Sequence, residues 1–136
     1  MLLTKECDYA IRILRALSDG TPSNIQTISQ AEQISVPMAY KLAHKLEQAG
    51  YLKSSRGPGG GYTLTADLKS ATLYDVCLAV DKDLFVTECV SPGFSCSRNL
   101  PGSPCRVHQE FIRIQKIMRK ELQWNSLYDI LFGSSV

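Results

Sequence analysis

The chain lacks any long hydrophobic run. Its apolar residues, 44% of 136, are dispersed in stretches of a few, which excludes a membrane-spanning helix. The N-terminus, Met1-Leu2-Leu3-Thr4-Lys5-Glu6-Cys7-Asp8, has no apolar core segment and no small-residue cleavage site. A secretory leader is therefore not expected, and a cytoplasmic location is. Charge of one sign is also scarce. Fifteen basic against 13 acidic side chains leave a formal +2, too little for a basic tail or to identify a nucleic-acid partner. No repeat or low-complexity tract is visible, so neither a solenoid nor a disordered tail fits. What remains is one domain, with room for an appended element.

The apolar pattern predicts a helical chain. From about Lys5 to Ser18, Ala10, Ile13, Leu14 and Leu17 form one stripe at helical spacing. Asp19-Gly20 ends it, and Thr21 to Asn24 supplies cap-type residues for a short helix with Ile25, Ile28 and Ala31 on one face. Ser35-Val36-Pro37 opens a third helix that buries Ala39, Leu42, Ala43 and Leu46 and stops at Gly50. Two short strands, Tyr51 to Ser54 and Tyr62 to Thr65, flank Gly57-Pro58-Gly59-Gly60-Gly61, a hairpin tip. Three helices followed by a hairpin outline a winged helix-turn-helix. The chain is therefore expected to be mainly α with a small β-hairpin. A short helix capped by Thr72 follows. A Ser/Pro/Gly-rich stretch (86–104) leads to a long helix from about Cys105 to Gln123 and a final one around Leu127 to Phe132.

With the third helix so buried, Met38, Tyr40, Lys41, His44, Lys45 and Gln48 face outward. In a helix-turn-helix this face enters the DNA major groove. Tyr40 and Lys41 are placed for base edges, His44 and Lys45 for phosphates. A solvated helix face explains the same residues, and for His44 that plain reading is favoured. The wing adds weight to the DNA reading. Arg56 precedes glycines that leave a close approach to a DNA backbone unobstructed, and an arginine there suits a minor groove. Lys41 to Arg56 holds four basic residues and one acidic. A nucleotide-binding phosphate loop is excluded, because no Lys-Ser/Thr follows the glycines and a strand, not a helix, comes next. No nucleophile–base pairing or pair of carboxylates suggests an enzyme.

Five cysteines, an odd number, do not suit disulfides in a reducing compartment. Cys89-x6-Cys96-x8-Cys105-x2-His108 gathers three thiols and an imidazole. The tight Cys-x2-Cys knuckles of structural zinc sites are missing. The wide spacing in a pliable loop suits an iron–sulfur centre, with zinc and metal-free redox thiols as alternatives. A helix N-terminus beside Cys105 favours thiolate and an anionic centre. Cys77 reads as a small buried apolar residue and Cys7 as structural.

These residues together resemble the IscR/NsrR-like family of bacterial winged-helix, iron–sulfur transcription regulators. The resemblance rests on Leu3-Thr4, Asp8-Tyr9-Ala10, Ser35-Val36-Pro37-x2-Tyr40, Arg56-Gly57-Pro58-Gly59-Gly60-Gly61-Tyr62 and the three cysteines. It covers residues 1–132, and the wing is its most specific motif. It implies a homodimer built on the long C-terminal helix and a palindromic double-stranded DNA operator. It also implies three parts: a winged DNA-binding region (1–80), a cluster-binding loop (81–104), and dimerisation and C-terminal helices (105–136). By the same resemblance Cys89, Cys96 and Cys105 are cluster ligands. The fourth is His108, or Asp8 of the partner subunit. Arg56, Gly57, Gly59 and Gly60 form the minor-groove wing, while Met38, Tyr40 and Lys41 hold base-reading positions with identities unlike IscR's. The cysteine spacing is longer than usual in either subfamily, so 2Fe–2S and 4Fe–4S both stay open. The function implied is a DNA-binding regulator sensing iron–sulfur status, redox state or nitric oxide. The alternative is a cluster-free winged-helix regulator controlled by redox thiols, zinc or a protein partner.

Overall fold

The computed structural model describes residues 3–133. The last three residues of the expected C-terminal part and Met1-Leu2 lie outside them. The element order is α1 (Lys5–Ala16), α2 (Ile25–Glu32), α3 (Val36–Gln48), β1 (Leu52–Ser55), β2 (Gly61–Leu64), α4 (Leu73–Val80), a 3-10 turn (Glu88–Val90), α5 (Arg106–Leu122) and α6 (Leu127–Phe132).

Local chemistry sets the helix starts. Thr4 caps α1 by accepting from the Cys7 N–H, and Asn24 caps α2 by accepting from the Thr27 N–H at 2.8 Å. At α4 the cap is reciprocal: Thr72 accepts from the Asp75 N–H, and the Asp75 carboxylate accepts from the Thr72 N–H at 2.9 Å. Ser35 occupies the N-cap of α3 as expected, but its side chain makes no capping bond. Pro37 in the first turn supplies the preset φ instead.

Helix α1 is the centre of the core. Its stripe of Ala10, Ile13, Leu14 and Leu17 is fully buried, against Ile25 and Ile28 of α2, Leu42 and Leu46 of α3, and Val76 and Cys77 of α4. On α2 the expected face is partly wrong. Ala31 is exposed, and Ser29 and Glu32 are buried in its place. Glu32 tolerates burial because Arg15 grips both of its carboxylate oxygens, the Nε bond being 3.0 Å.

The hairpin pairs Leu52 with Leu64 and Ser55 with Gly61 in antiparallel register, one residue displaced from the expected strands. It does not stand free. Ser23 and Tyr62 exchange two backbone bonds, of 3.0 and 2.8 Å, which dock β2 on the loop before α2. This approach explains Gly61: a Cβ there would lie 2.5 Å from the Ser23 carbonyl oxygen, and its φ is +130°.

Helix α5 carries no buried residue. Val107 and Ile117 of its apolar face are 60% and 46% exposed. The chain then returns: the Leu127 N–H donates to the Ala71 carbonyl at 2.8 Å, the Tyr128 N–H to Leu68 at 3.0 Å, and Leu127 is completely buried. Thus α6 is part of the N-terminal core. Replacing Leu127 with Ala is expected to destabilise the chain by about 2–5 kcal/mol, measured as a lower denaturation midpoint. A loss well under that range would show that α6 only rests on the surface.

Candidate functional site

The outward face of α3 follows from what α3 buries. Ala39, Leu42, Ala43 and Leu46 are wholly covered, so Tyr40, Lys41 and His44 emerge on the opposite side, exposed, with Lys45 half-buried. Met38 is less available than expected. It is half-buried, packs on the edge of the core, and lines a groove of about 920 Å³ with Glu6, Lys45 and Val80.

The sequence reading missed Glu6. This first-turn residue of α1 takes both lysines of the α3 face: Lys41 at Oε1, and Lys45 at Oε2 at 3.1 Å. Lys45 also donates to the Val80 carbonyl at 2.9 Å, tying α3 to the end of α4. The two lysine hydrogen bonds hold the Glu6 carboxyl below its ordinary value of 4.5. A charged residue 35 positions away from Lys41 leaves no periodic signal to find it by.

The wing follows α3, to which its first strand is tied by the Ser54 hydroxyl donating to Glu47 Oε1 at 2.9 Å. Arg56 is exposed and, among the described residues, makes no ion pair. Gly57 and Gly59, both at positive φ, turn the tip. The Gly60 N–H closes it on the Gly57 carbonyl at 2.9 Å.

The structure brings the four local soft donors together. Cys89, Cys96, Cys105 and His108 line one cavity of about 90 Å³ with Phe94 and Asn99. Cys105 is the N-cap of α5, its sulfur accepting from the His108 N–H at 3.5 Å, and the Arg98 N–H reaches the Cys96 sulfur at 3.4 Å. Asn99, not foreseen, accepts from the Cys105 N–H at 2.9 Å. Backbone donors and a helix N-terminus aimed at sulfur suit anionic thiolate ligands. Among the described residues no three His, Cys, Asp or Glu converge to grip a single metal ion. Three thiols and an imidazole on one cavity wall are donor types that an iron–sulfur cluster takes. The loop is anchored at its start by Gln115 of α5, another unforeseen residue. Its Oε1 accepts from the Val86 N–H at 2.7 Å and its Nε2 donates to the Leu84 carbonyl at 2.9 Å.

Asp8 lies elsewhere, paired with Arg12 at 3.0 Å, beside a separate apolar cavity of about 260 Å³ that Cys7 and Cys77 also line. Those two cysteines are buried side by side between α1 and α4. Burial, then the neighbouring Cys7, pushes the Cys77 thiol up to about 12, which keeps it a neutral core residue as expected.

The Glu6 pair has a pH signature. Its folded-state pKa is depressed, so its stabilisation is complete above the ordinary carboxylate value and is lost as pH falls through the lower folded value. Melting curves of wild type and Glu6→Gln should differ at neutral pH and converge in acid. A gap independent of pH would mean the lysine contacts contribute nothing.

Comparison with known proteins gives the same outline. The profile of the Rrf2 family, described as iron-dependent transcriptional regulators, matches residues 3–132. The regulator IscR of Vibrio campbellii is 35% identical over 111 residues, 79% of this chain, and the match spans 64% of that relative's length. NsrR of Bacillus subtilis is 33% identical over 103 residues, 74% of this chain and 68% of its own. The crystal structure of CymR, the global cysteine regulator of B. subtilis, superposes with a TM-score of 0.75 at 22% identity, covering 97% of each chain. Such a likeness confirms the winged-helix fold. These relatives are transcriptional regulators rather than enzymes, and no described helix is long and apolar enough to cross a membrane. By the match along nearly its whole length, the chain belongs to the Rrf2 family of transcriptional regulators.

Proposed function

We propose that this chain is a homodimeric, DNA-binding transcription regulator whose operator affinity depends on an iron–sulfur cluster. The observation that carries the reading is that Cys89, Cys96, Cys105 and His108 line one cavity at the N-terminus of a helix whose apolar face is only partly covered, with Val107 and Ile117 exposed. Residues 1–80 would bind DNA, 81–104 would hold the cluster, and the segment from 105 onward would dimerise.

In this reading Tyr40 and Lys41, with Met38 beside them, meet base edges of a palindromic site, His44 and Lys45 meet phosphates, and Arg56 with Gly57, Gly59 and Gly60 enters the minor groove. The three cysteines hold the irons with His108 as the fourth ligand, because it is local and already on the cavity wall. Asp8 of the partner subunit is the alternative. When bound, the cluster, 2Fe–2S or 4Fe–4S, supplies a centre that responds to iron supply, oxidants or nitric oxide. The residues themselves offer a route from loop to DNA face. Cys105 caps α5, Gln115 of α5 holds Leu84 and Val86, and four residues before Leu84 the Val80 carbonyl receives Lys45 of α3. Regulation then requires only that two arrangements of this chain of contacts differ in affinity for DNA. The alternative is a cluster-free regulator controlled by zinc, redox thiols or a protein partner.

Anaerobically isolated protein should contain iron and a visible chromophore, and Cys96→Ala should bleach it. Stoichiometric zinc without iron after reconstitution would overturn the cluster assignment and leave the DNA reading intact. Arg56→Ala should weaken DNA binding and flatten the salt dependence of log K by about 0.9 for one lost phosphate contact. Unchanged affinity would remove the wing from the interface.

A further inference from the structure

We propose that Glu6 is a specificity-determining residue: an internal stand-in for a DNA phosphate that restrains sequence-independent binding by occupying Lys41. The inference rests on the reading of α3 as the DNA-facing helix and concerns what limits its affinity.

The two lysines on Glu6 are not equivalent. Lys45 is half-buried and has a second acceptor, the Val80 carbonyl at 2.9 Å, so it remains fixed whether or not Glu6 is charged. Lys41 is half exposed, and among the described residues Glu6 is its only side-chain partner. A phosphate reaching Lys41 must displace a carboxylate that is already ion-paired and held ionised at neutral pH. The carboxylate also repels any phosphate that approaches without making that exchange.

The charge of the face therefore differs from what the sequence suggests. Four cations stand between Lys41 and Arg56, yet two of them share one carboxylate contributed by α1. Counterion release by free cations drives binding to any sequence, whereas base-edge contacts distinguish sequences. Neutralising Lys41 lowers the first contribution. On an operator a matching base edge for Lys41 and the exposed Tyr40 offset displacement of Glu6, whereas on other sequences Lys41 has only a phosphate to gain. Glu6 thus raises the ratio of specific to non-specific binding at a cost in total affinity.

The test uses the full chain and a mixed-sequence duplex without an operator, titrated by fluorescence anisotropy between about 50 and 200 mM salt. Glu6→Gln should bind this duplex several-fold more tightly than wild type, with a slope of log K against log salt steeper by about 0.9, one more phosphate contact. Lys41→Met should cost the Glu6→Gln chain more than it costs wild type, and the double variant should bind like Lys41→Met alone. Equal or weaker binding by Glu6→Gln, in protein that is still fully folded at the assay temperature, would overturn the proposal. So would a gain that survives Lys41→Met. If Glu6→Gln fails to fold, Glu6→Ala in the same two backgrounds gives the same comparison. Wild type that binds no duplex even at the lowest salt would instead overturn the DNA reading itself, and this inference with it.

Discussion

Everything in this chain is arranged around the burial of one helical stripe. Ala10, Ile13, Leu14 and Leu17 of α1 are shut from solvent, and α2, α3 and α4 each cover part of that stripe with their own apolar faces. Because α3 spends Leu42 and Leu46 there, it has no choice about which residues it shows to the outside. The outward face of α3, proposed above to meet DNA, is thus a by-product of core packing. The wing depends on the same core at one remove, through the backbone exchange between Ser23 and Tyr62.

A second constraint governs the C-terminal half. Helix α5 has an apolar face that the described residues cover only in part, yet α6 is drawn back by Leu127 and its backbone bonds to Ala71 and Leu68. The helix is therefore held at both ends, by the cysteine loop at Cys105 and by the core at Leu127. Gln115 lies between them and clips the loop to α5. A strained or released cysteine loop has few directions in which to move that do not disturb Leu84, Val80 or Lys45. These few bonds connect the cysteine loop to α3.

The fold was legible to a large extent, because its elements announce themselves locally. The helical period of Ala10, Ile13, Leu14 and Leu17, the caps at Asn24 and Thr72, and the glycine-rich tip after Arg56 are all short-range signals. The failures are equally instructive. Ala31 was expected on the buried face, yet Glu32 is buried instead, because an ion pair with Arg15, 17 positions earlier, makes burial of the carboxylate tolerable. The clustering of Cys89, Cys96, Cys105 and His108 on one cavity was readable from spacing. Asn99 and Gln115 were not, since an amide acting through a hydrogen bond to backbone leaves no pattern of its own.

The sequence by itself determined the fold class, the wing and the identity of the soft donors, because periodicity, turn chemistry and ligand type are properties of neighbouring residues. Only the tertiary structure decided how much charge the outward face of α3 presents. Four cations in a row of sixteen residues read as a strongly basic face. Folding sets Glu6 against two of them, because packing α1 on α3 brings its first turn beside Lys41 and Lys45. Electrostatic interaction depends on distance in space, and nothing in the order of residues along the chain records that distance.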